Sequence, residues 1–363
     1  MSYNNYRRKS KPVRVGSLTV GGEAPLTVQS MTNVSSSDYE AVYRQMKALE
    51  AVGCDIVRMT VPDADAVRTL HRLKSSDIAM PIVADIHFNY RLAIESAEAG
   101  ADKIRINPGN IGDEDRVKQV VSACKRAGIP IRIGVNGGSL EKSLLERYGS
   151  PTKEALVESA KRHIALLEKY DFDDIIVAIK SSDVRTMQGA VRLLAETCSY
   201  PLHLGVTEAG TATLGVPKSA VGIGGLLCDG IGDTLRISLT DDPVREVKEA
   251  RALLRALGLD TKGRVNLVSC PTCGRTKVDL ITLAKEVERR LYDLTVTRPL
   301  TVAVMGCAVN GPGEAKEADV GIAAGNGEAL LFRKGEILYK VKEEDIVDSL
   351  MQEVMRLAEE DKR

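Results

Sequence analysis

The sequence predicts an α/β fold, a (β/α)8 TIM barrel followed by a smaller α+β domain. Three observations lead there. Eight short β-rich runs alternate with longer amphipathic stretches over about 255 residues, the usual extent of such a barrel. After LDTKGR the pattern changes into Gly-punctuated strands and cysteine loops. The chain of 363 residues is also too long for one ordinary domain.

In order, the eight runs are LTVQSMT from Leu26, DIVRMTV from Asp55, PIVADIH from Pro81 and KIRINPG from Lys103. They continue with IRIGVNG from Ile131, IIVAIKSS from Ile175, LHLGVTE from Leu202 and TLRISLT from Thr234. Helical periodicity fills the intervals 38–51, 64–74, 90–99, 113–127, 152–169 and 184–198, and several of these stop at a glycine suited to a C-cap. Between the seventh and eighth runs lies a Gly-rich stretch, GVPKSAVGIGGLLCDGIGDT, read as a loop of the kind that cradles phosphate, with close packing as the plain alternative. Asp241-Asp242-Pro243 supplies a cap and an N1 proline for the eighth helix, and Gly258 stops it. A doubly wound open sheet competes. It would usually carry a Gly-rich fingerprint after its first strand, and LTVQSMTNVSSSD has none. The barrel is assigned to 1–258 and the second domain to 259–363, with strands from Val265, Leu300, Val320, Glu328 and Glu336, a helix from Asp279, and a closing helix from about Glu343.

Lys+Arg and Asp+Glu both number 50, so the net charge is zero, which argues against a general nucleic-acid binder. No apolar run approaches the length of a membrane span, and the basic start lacks the apolar core of a secretory signal; a cytoplasmic location is expected. The first 14 residues read as a disordered tail.

In barrels of this kind chemistry sits at the C-terminal ends of the strands. The polar residues there are Arg58; Asp85 and His87; Arg105 and Asn107; Arg132 and Asn136; Lys180 and Ser182; Thr207 and Glu208; Arg236 and Ser238. Five of eight strands bring a cation, so the rim is expected to hold a multiply anionic small ligand, most simply a phosphate or diphosphate. Rim charges paired with neighbouring carboxylates are the bland alternative. Asp85 and His87 flank one residue and therefore face the same side. Glu208 is either a proton donor or a counter-charge.

Seven cysteines without a signal peptide do not make a disulfide framework. Cys54, Cys124, Cys198 and Cys228 read as core packing. Cys270-Pro-Thr-Cys273 and Cys307 instead lie in Gly- and Pro-rich segments, and the chain beyond residue 258 holds no histidine and no fourth cysteine. Three thiolates suit an iron–sulfur cluster with one unusual ligand position, for which Glu314, just beyond the Gly-Pro-Gly turn after Cys307, is the carboxylate candidate. Zinc and a redox dithiol remain the alternatives.

SCPTCGRT and GCAVNGPGEA, with SMTNV, VRMTVP, ADIHFN, KIRINPGN, IRIGVNGGS and GVTEAG, closely resemble the 4-hydroxy-3-methylbut-2-enyl diphosphate synthase (GcpE) family, over essentially the whole chain after the first dozen residues. That resemblance implies one [4Fe–4S] cluster per chain on Cys270, Cys273, Cys307 and Glu314, with Asn310 beside it. It implies 2-C-methyl-D-erythritol 2,4-cyclodiphosphate as substrate, reductively opened and dehydrated by two electrons from reduced flavodoxin or ferredoxin. Arg58, Arg105, Asn107, Arg132, Asn136, Lys180, Thr207, Arg236 and Ser238 would bind that substrate. Glu208, Asp85, His87, Asn310 and Glu314 would serve the chemistry. A homodimer, with the cluster domain closing over the partner's barrel, is also implied. Outside this reading stand a non-redox barrel with a structural zinc, resembling dihydropteroate synthases, and a zinc-ribbon scaffold. Radical-SAM chemistry is disfavoured because no C-x3-C-x2-C occurs.

Overall fold

A computed structural model describes residues 6–260, 265–292, 294, 296, 298–307 and 315–360. The chain divides into two units, Met1–Leu257 and Gly258–Arg363.

The first unit opens with a hairpin of β1 (Val13–Val15) and β2 (Leu18–Val20). Eight parallel strands follow, alternating with helices: β3 (Thr27–Met31), α1 (Tyr39–Ala51), β4 (Ile56–Thr60), α2 (Ala64–Lys74), β5 (Ile82–Asp85), α3 (Tyr90–Glu98), β6 (Lys103–Ile106), the single turn α4 (Pro108–Ile111), α5 (Glu114–Ala127) and β7 (Ile131–Asn136). The unit is completed by α6 (Lys142–Tyr148), α7 (Lys153–Glu168), β8 (Ile175–Lys180), α8 (Val184–Ala195), β9 (His203–Leu204), α9 (Ala212–Cys228), β10 (Thr234–Leu235) and α10 (Pro243–Ala256). Hydrogen bonding runs β8-β7-β6-β5-β4-β3-β10-β9, and a bridge between Val177 and Leu202 brings β8 against β9, so the ring is all but closed. All eight expected strands are present. Local chemistry sets the helix starts: Asp38, Asp63, Asn89, Asp113, Thr152, Asp183 and Asp242 each accept a backbone N–H in the first turn that follows.

Three expectations are corrected here. Far from being a tail, the described part of the basic N-terminal segment is tied to the barrel. The Arg7 guanidinium and the Ser10 hydroxyl each reach Asp233 at 2.7 Å, and the Arg8 N–H donates to the Gly230 carbonyl at 2.8 Å. Behind this segment, Val13, Val15 and Val20 pack on Ile56, Val83 and Ile176 and plug the lower end of the barrel with apolar surface. The Gly-rich stretch is likewise no loop. It forms most of α9, in which Cβ atoms at Gly215 and Gly222 would meet Leu239 at 2.5 Å and Val206 at 2.8 Å; the glycines serve close packing. Cys54 and Cys124 are buried as expected and Cys198 is half-buried, but Cys228, at the exposed end of α9, is on the surface.

The second unit is a five-stranded sheet, β11 (Val265–Ser269), β12 (Leu300–Met305), β13 (Val320–Ala324), β14 (Glu328–Arg333) and β15 (Glu336–Lys342), in that spatial order. β11, β12 and β13 are parallel, and β14 and β15 return antiparallel. α11 (Leu280–Leu291) crosses from β11 to β12, and with the closing helix Ile346–Glu360 it buries Val287, Leu291, Leu350 and Val354 against Val302, Val304 and Ile322. Among the described residues no helix is long and apolar enough to cross a membrane.

Candidate active site

Strand alternation decides what the barrel encloses. The inward positions of the eight strands carry most of the polar residues singled out above. Arg58, Asp85, His87, Arg105, Asn107, Arg132, Asn136, Lys180, Thr207, Arg236 and Ser238 all line one cavity of about 450 Å³. The rim residues thus converge, as alternation requires. Ser182 and Glu208 are not among the lining residues. Glu208 follows Thr207 in a left-handed backbone conformation at φ 52°, unusual for a side-chain-bearing residue and of the kind stored at functional sites.

Two glycines make room for the cations. A Cβ on Gly134 would lie 2.6 Å from Arg105 Nε, and one on Gly205 would lie 3.1 Å from Lys180 Nζ. Arg105 Nη1 donates to Asp85 Oδ1 at 3.0 Å, and Arg58 Nε stands 3.5 Å from Asp85 Oδ2. Arg236 pairs with Glu246. Counter-charges therefore do exist for these three, as the bland reading expected. Arg132 and Lys180 differ. Arg132 Nη1 reaches across the lumen to Gln29 Oε1 at 3.2 Å, and among the described residues no carboxylate pairs with either cation. Five cations thus meet two carboxylates, Asp85 in the cavity lining and Glu246 behind Arg236, and all of these side chains except Arg236 are buried.

That imbalance shows in protonation. Burial favours the neutral acid at Asp85, yet Arg58 and Arg105 prevail and hold its pKa down to about 2. Burial, then Arg58 and Arg236, push Lys180 well below an ordinary lysine. Arg58 falls to about 10 through burial, only partly offset by Asp85. Beneath the cavity Lys103 and His203 are fully buried, and burial together with Arg132 lowers both well below their usual values. The field inside the barrel is positive, and a dianion brought into it relieves repulsion among several groups at once.

In the second unit β11 and β12 run side by side, with Ser269 opposite Val304, so Cys270 and Cys307 leave the same end of adjacent strands. The loops are joined there: the Gly306 N–H donates to Cys270 Sγ at 3.2 Å, and the Lys277 N–H to the Gly306 carbonyl at 3.2 Å. A Cβ at Gly306 would stand 3.0 Å from Leu280 and Thr276, so the two loops approach tightly here. Cys273 is exposed, and the backbone N–H of Arg275, with the Thr276 hydroxyl, lowers its thiol pKa despite partial desolvation. All three thiols are free. Among the described residues no three metal-binding side chains converge, while Asn310 and Glu314 lie outside those residues. Three free thiols on two joined loops, one already accepting an N–H···S hydrogen bond, fit an iron–sulfur group in donor chemistry.

A model of the GcpE TIM-barrel domain matches residues 10–251, and one of the GcpE protein C-terminal domain matches residues 266–356. The chain belongs to the GcpE family. A relative from Clostridium perfringens, called 4-hydroxy-3-methylbut-2-en-1-yl diphosphate synthase (flavodoxin), is 54% identical over 345 residues, 95% of this chain and 98% of its own. A Bacillus licheniformis relative of the same name is 54% identical over 360 residues, 99% of this chain and 96% of its own. Among solved structures, a truncated 3-deoxy-D-arabino-heptulosonate 7-phosphate synthase from Thermotoga maritima shares 15% identity with a TM-score of 0.50, covering 69% of this chain and 95% of that one. That likeness is one of fold alone.

Several cavity residues escaped sequence reasoning. Met31, Thr60, Asn110 and Ser139 line the same space. Met31 and Thr60 sit at inward positions of strands already identified, so alternation could have found them. Ser139 follows β7 in a short turn and lies 3.4 Å from Asn107 Nδ2, a contact between loops that nothing in the sequence signals.

Proposed function

We propose that the protein reductively opens and dehydrates 2-C-methyl-D-erythritol 2,4-cyclodiphosphate to (E)-4-hydroxy-3-methylbut-2-enyl diphosphate, an oxidoreductase step of isoprenoid biosynthesis. Two electrons and two protons enter, and one water leaves. The observation that carries this reading is the excess of five cations over two carboxylates at the open end of a barrel belonging to this family. Arg58, Arg105, Arg132, Lys180 and Arg236 hold the diphosphate by charge-assisted hydrogen bonds, with Asn107, Asn136, Thr207 and Ser238 as neutral partners. Asp85, ionised between two guanidiniums, orients Arg58 and Arg105 and does not give up a proton. His87, in the same cavity, and Glu208, next to Thr207, are the proton carriers for the departing water.

Cys270, Cys273, Cys307 and Glu314 would hold a [4Fe–4S] cluster, one per chain, with Asn310 beside it. When bound, such a group supplies the two electrons singly. The relatives' name supports reduced flavodoxin as the donor, with ferredoxin as a substitute. A homodimer working in the cytoplasm completes the reading.

Anaerobic purification followed by iron and sulfide analysis, then turnover of the cyclic diphosphate with reduced flavodoxin, tests it. About four irons and four sulfides per chain with turnover are expected. One zinc and no sulfide under the same conditions would overturn the redox assignment.

A further inference from the structure

Glu246 enters the reading above only as a counter-charge to Arg236. It lies on α10, beyond the eighth barrel strand, and is only 2% exposed. Four donors converge on its carboxylate. Arg236 Nε reaches Oε2 at 3.0 Å and Arg236 Nη2 reaches Oε1 at 3.0 Å; the Ser30 hydroxyl donates to Oε2 at 2.9 Å and the Leu239 N–H to Oε1 at 3.0 Å. A carboxylate offers about four lone-pair sites, so this one is saturated and cannot turn. The Arg236 fork is gripped along one edge. Its remaining nitrogen, Nη1, stands 3.5 Å from Met31 Sδ, and both residues line the cavity.

We propose that Glu246 is a positioning residue for anion recognition, clamping the plane of Arg236 so that the guanidinium edge held only by the weak Met31 Sδ contact faces the diphosphate. The proposal rests on the cavity being the diphosphate site. It predicts a sign that a mere counter-charge would not give. Removing a negative charge from a cationic pocket should tighten anion binding if charge balance were the whole of its role. If Glu246 positions the fork, its removal frees Arg236 to rotate and binding weakens although the pocket becomes more positive. Ser30→Ala separates the two effects further, since it removes one of the four bonds without changing any charge.

The experiment is calorimetric titration of the full-length, anaerobically purified protein with inorganic pyrophosphate, comparing the wild type with E246Q, S30A and R236A, with thermal unfolding recorded for each. R236A should weaken binding by about 30-fold, E246Q by about tenfold and S30A by about two- to fivefold, the range expected for losing or loosening charge-assisted bonds. In turnover, E246Q should raise KM far more than it lowers kcat, because the diphosphate is gripped equally throughout the reaction. Equal or tighter pyrophosphate binding by E246Q, with R236A weakened, would overturn the proposal. No loss in R236A would instead remove Arg236 from the diphosphate site. Should E246Q fail to fold, S30A decides: wild-type affinity there overturns the clamp.

Discussion

Asp85 stands between the guanidiniums of Arg58 and Arg105 with almost no access to water, which makes it the residue whose charge state matters most to the cavity's shape. Its folded-state pKa of about 2 lies below the ordinary carboxylate value, so its stabilisation is complete above that ordinary value and is lost as pH falls from about 4 toward 2. Asp85→Asn should therefore cost about 2–4 kcal/mol at pH 7, with the gap to wild type closing on acidification through that window. Denaturant unfolding of both proteins at several pH values checks this; equal stabilities at pH 7 would contradict it. Gly134 offers a second test at this scale. The Cβ of Gly134→Ala would displace Arg105 without changing any charge, so pyrophosphate affinity should fall about tenfold, with a smaller loss of stability than in Asp85→Asn because Arg58 still pairs with Asp85; calorimetry reads the affinity. The identities of Arg58, Asp85, Arg105 and their neighbours were legible because strand alternation alone puts them in the lumen. Their pairing was not. That Asp85 serves two arginines while Arg132 looks across to Gln29 depends on distances between strands far apart in sequence.

At the scale of elements, strands and helix starts followed from alternation and from capping Asp, Asn and Thr residues, both local effects. The Gly-rich stretch before the eighth strand misled because glycine lowers helix propensity, whereas Gly215 and Gly222 are selected by how closely α9 must approach Leu239 and Val206. Tertiary contact overrode a local preference. The N-terminal segment misled for a similar reason: its basic residues look solvated until Asp233, more than two hundred residues later, is folded beside them. The two cysteine loops are elements with a testable role. Cys307→Ser should abolish iron binding while leaving pyrophosphate binding by the barrel intact, because the two belong to separately packed units. Iron analysis alongside calorimetry checks it; full iron content in the variant would take Cys307 off the ligand set.

For the whole molecule, a net charge of zero conceals a lumen of strongly positive character. Attraction of an anionic ligand to that opening is long-range and screened by salt, so raising NaCl from about 50 to 500 mM should weaken pyrophosphate binding several-fold, largely through slower association. Stopped-flow measurement of the association rate against ionic strength checks this, and a salt-independent rate would contradict it. The sequence by itself determined the strand count, the barrel, the change of pattern after the eighth helix, the convergence of cations and the cysteine spacing. All of these depend on periodicity and residue type along neighbouring stretches of chain. Only the tertiary structure decided that Glu246 grips Arg236, that Gly134 and Gly205 give space to Arg105 and Lys180, that Ser139 meets Asn107, and that the N-terminal segment underpins the barrel. Those facts depend on distances across the closed ring, which a linear chain does not encode locally and which exist only once the strands have closed around their buried charge.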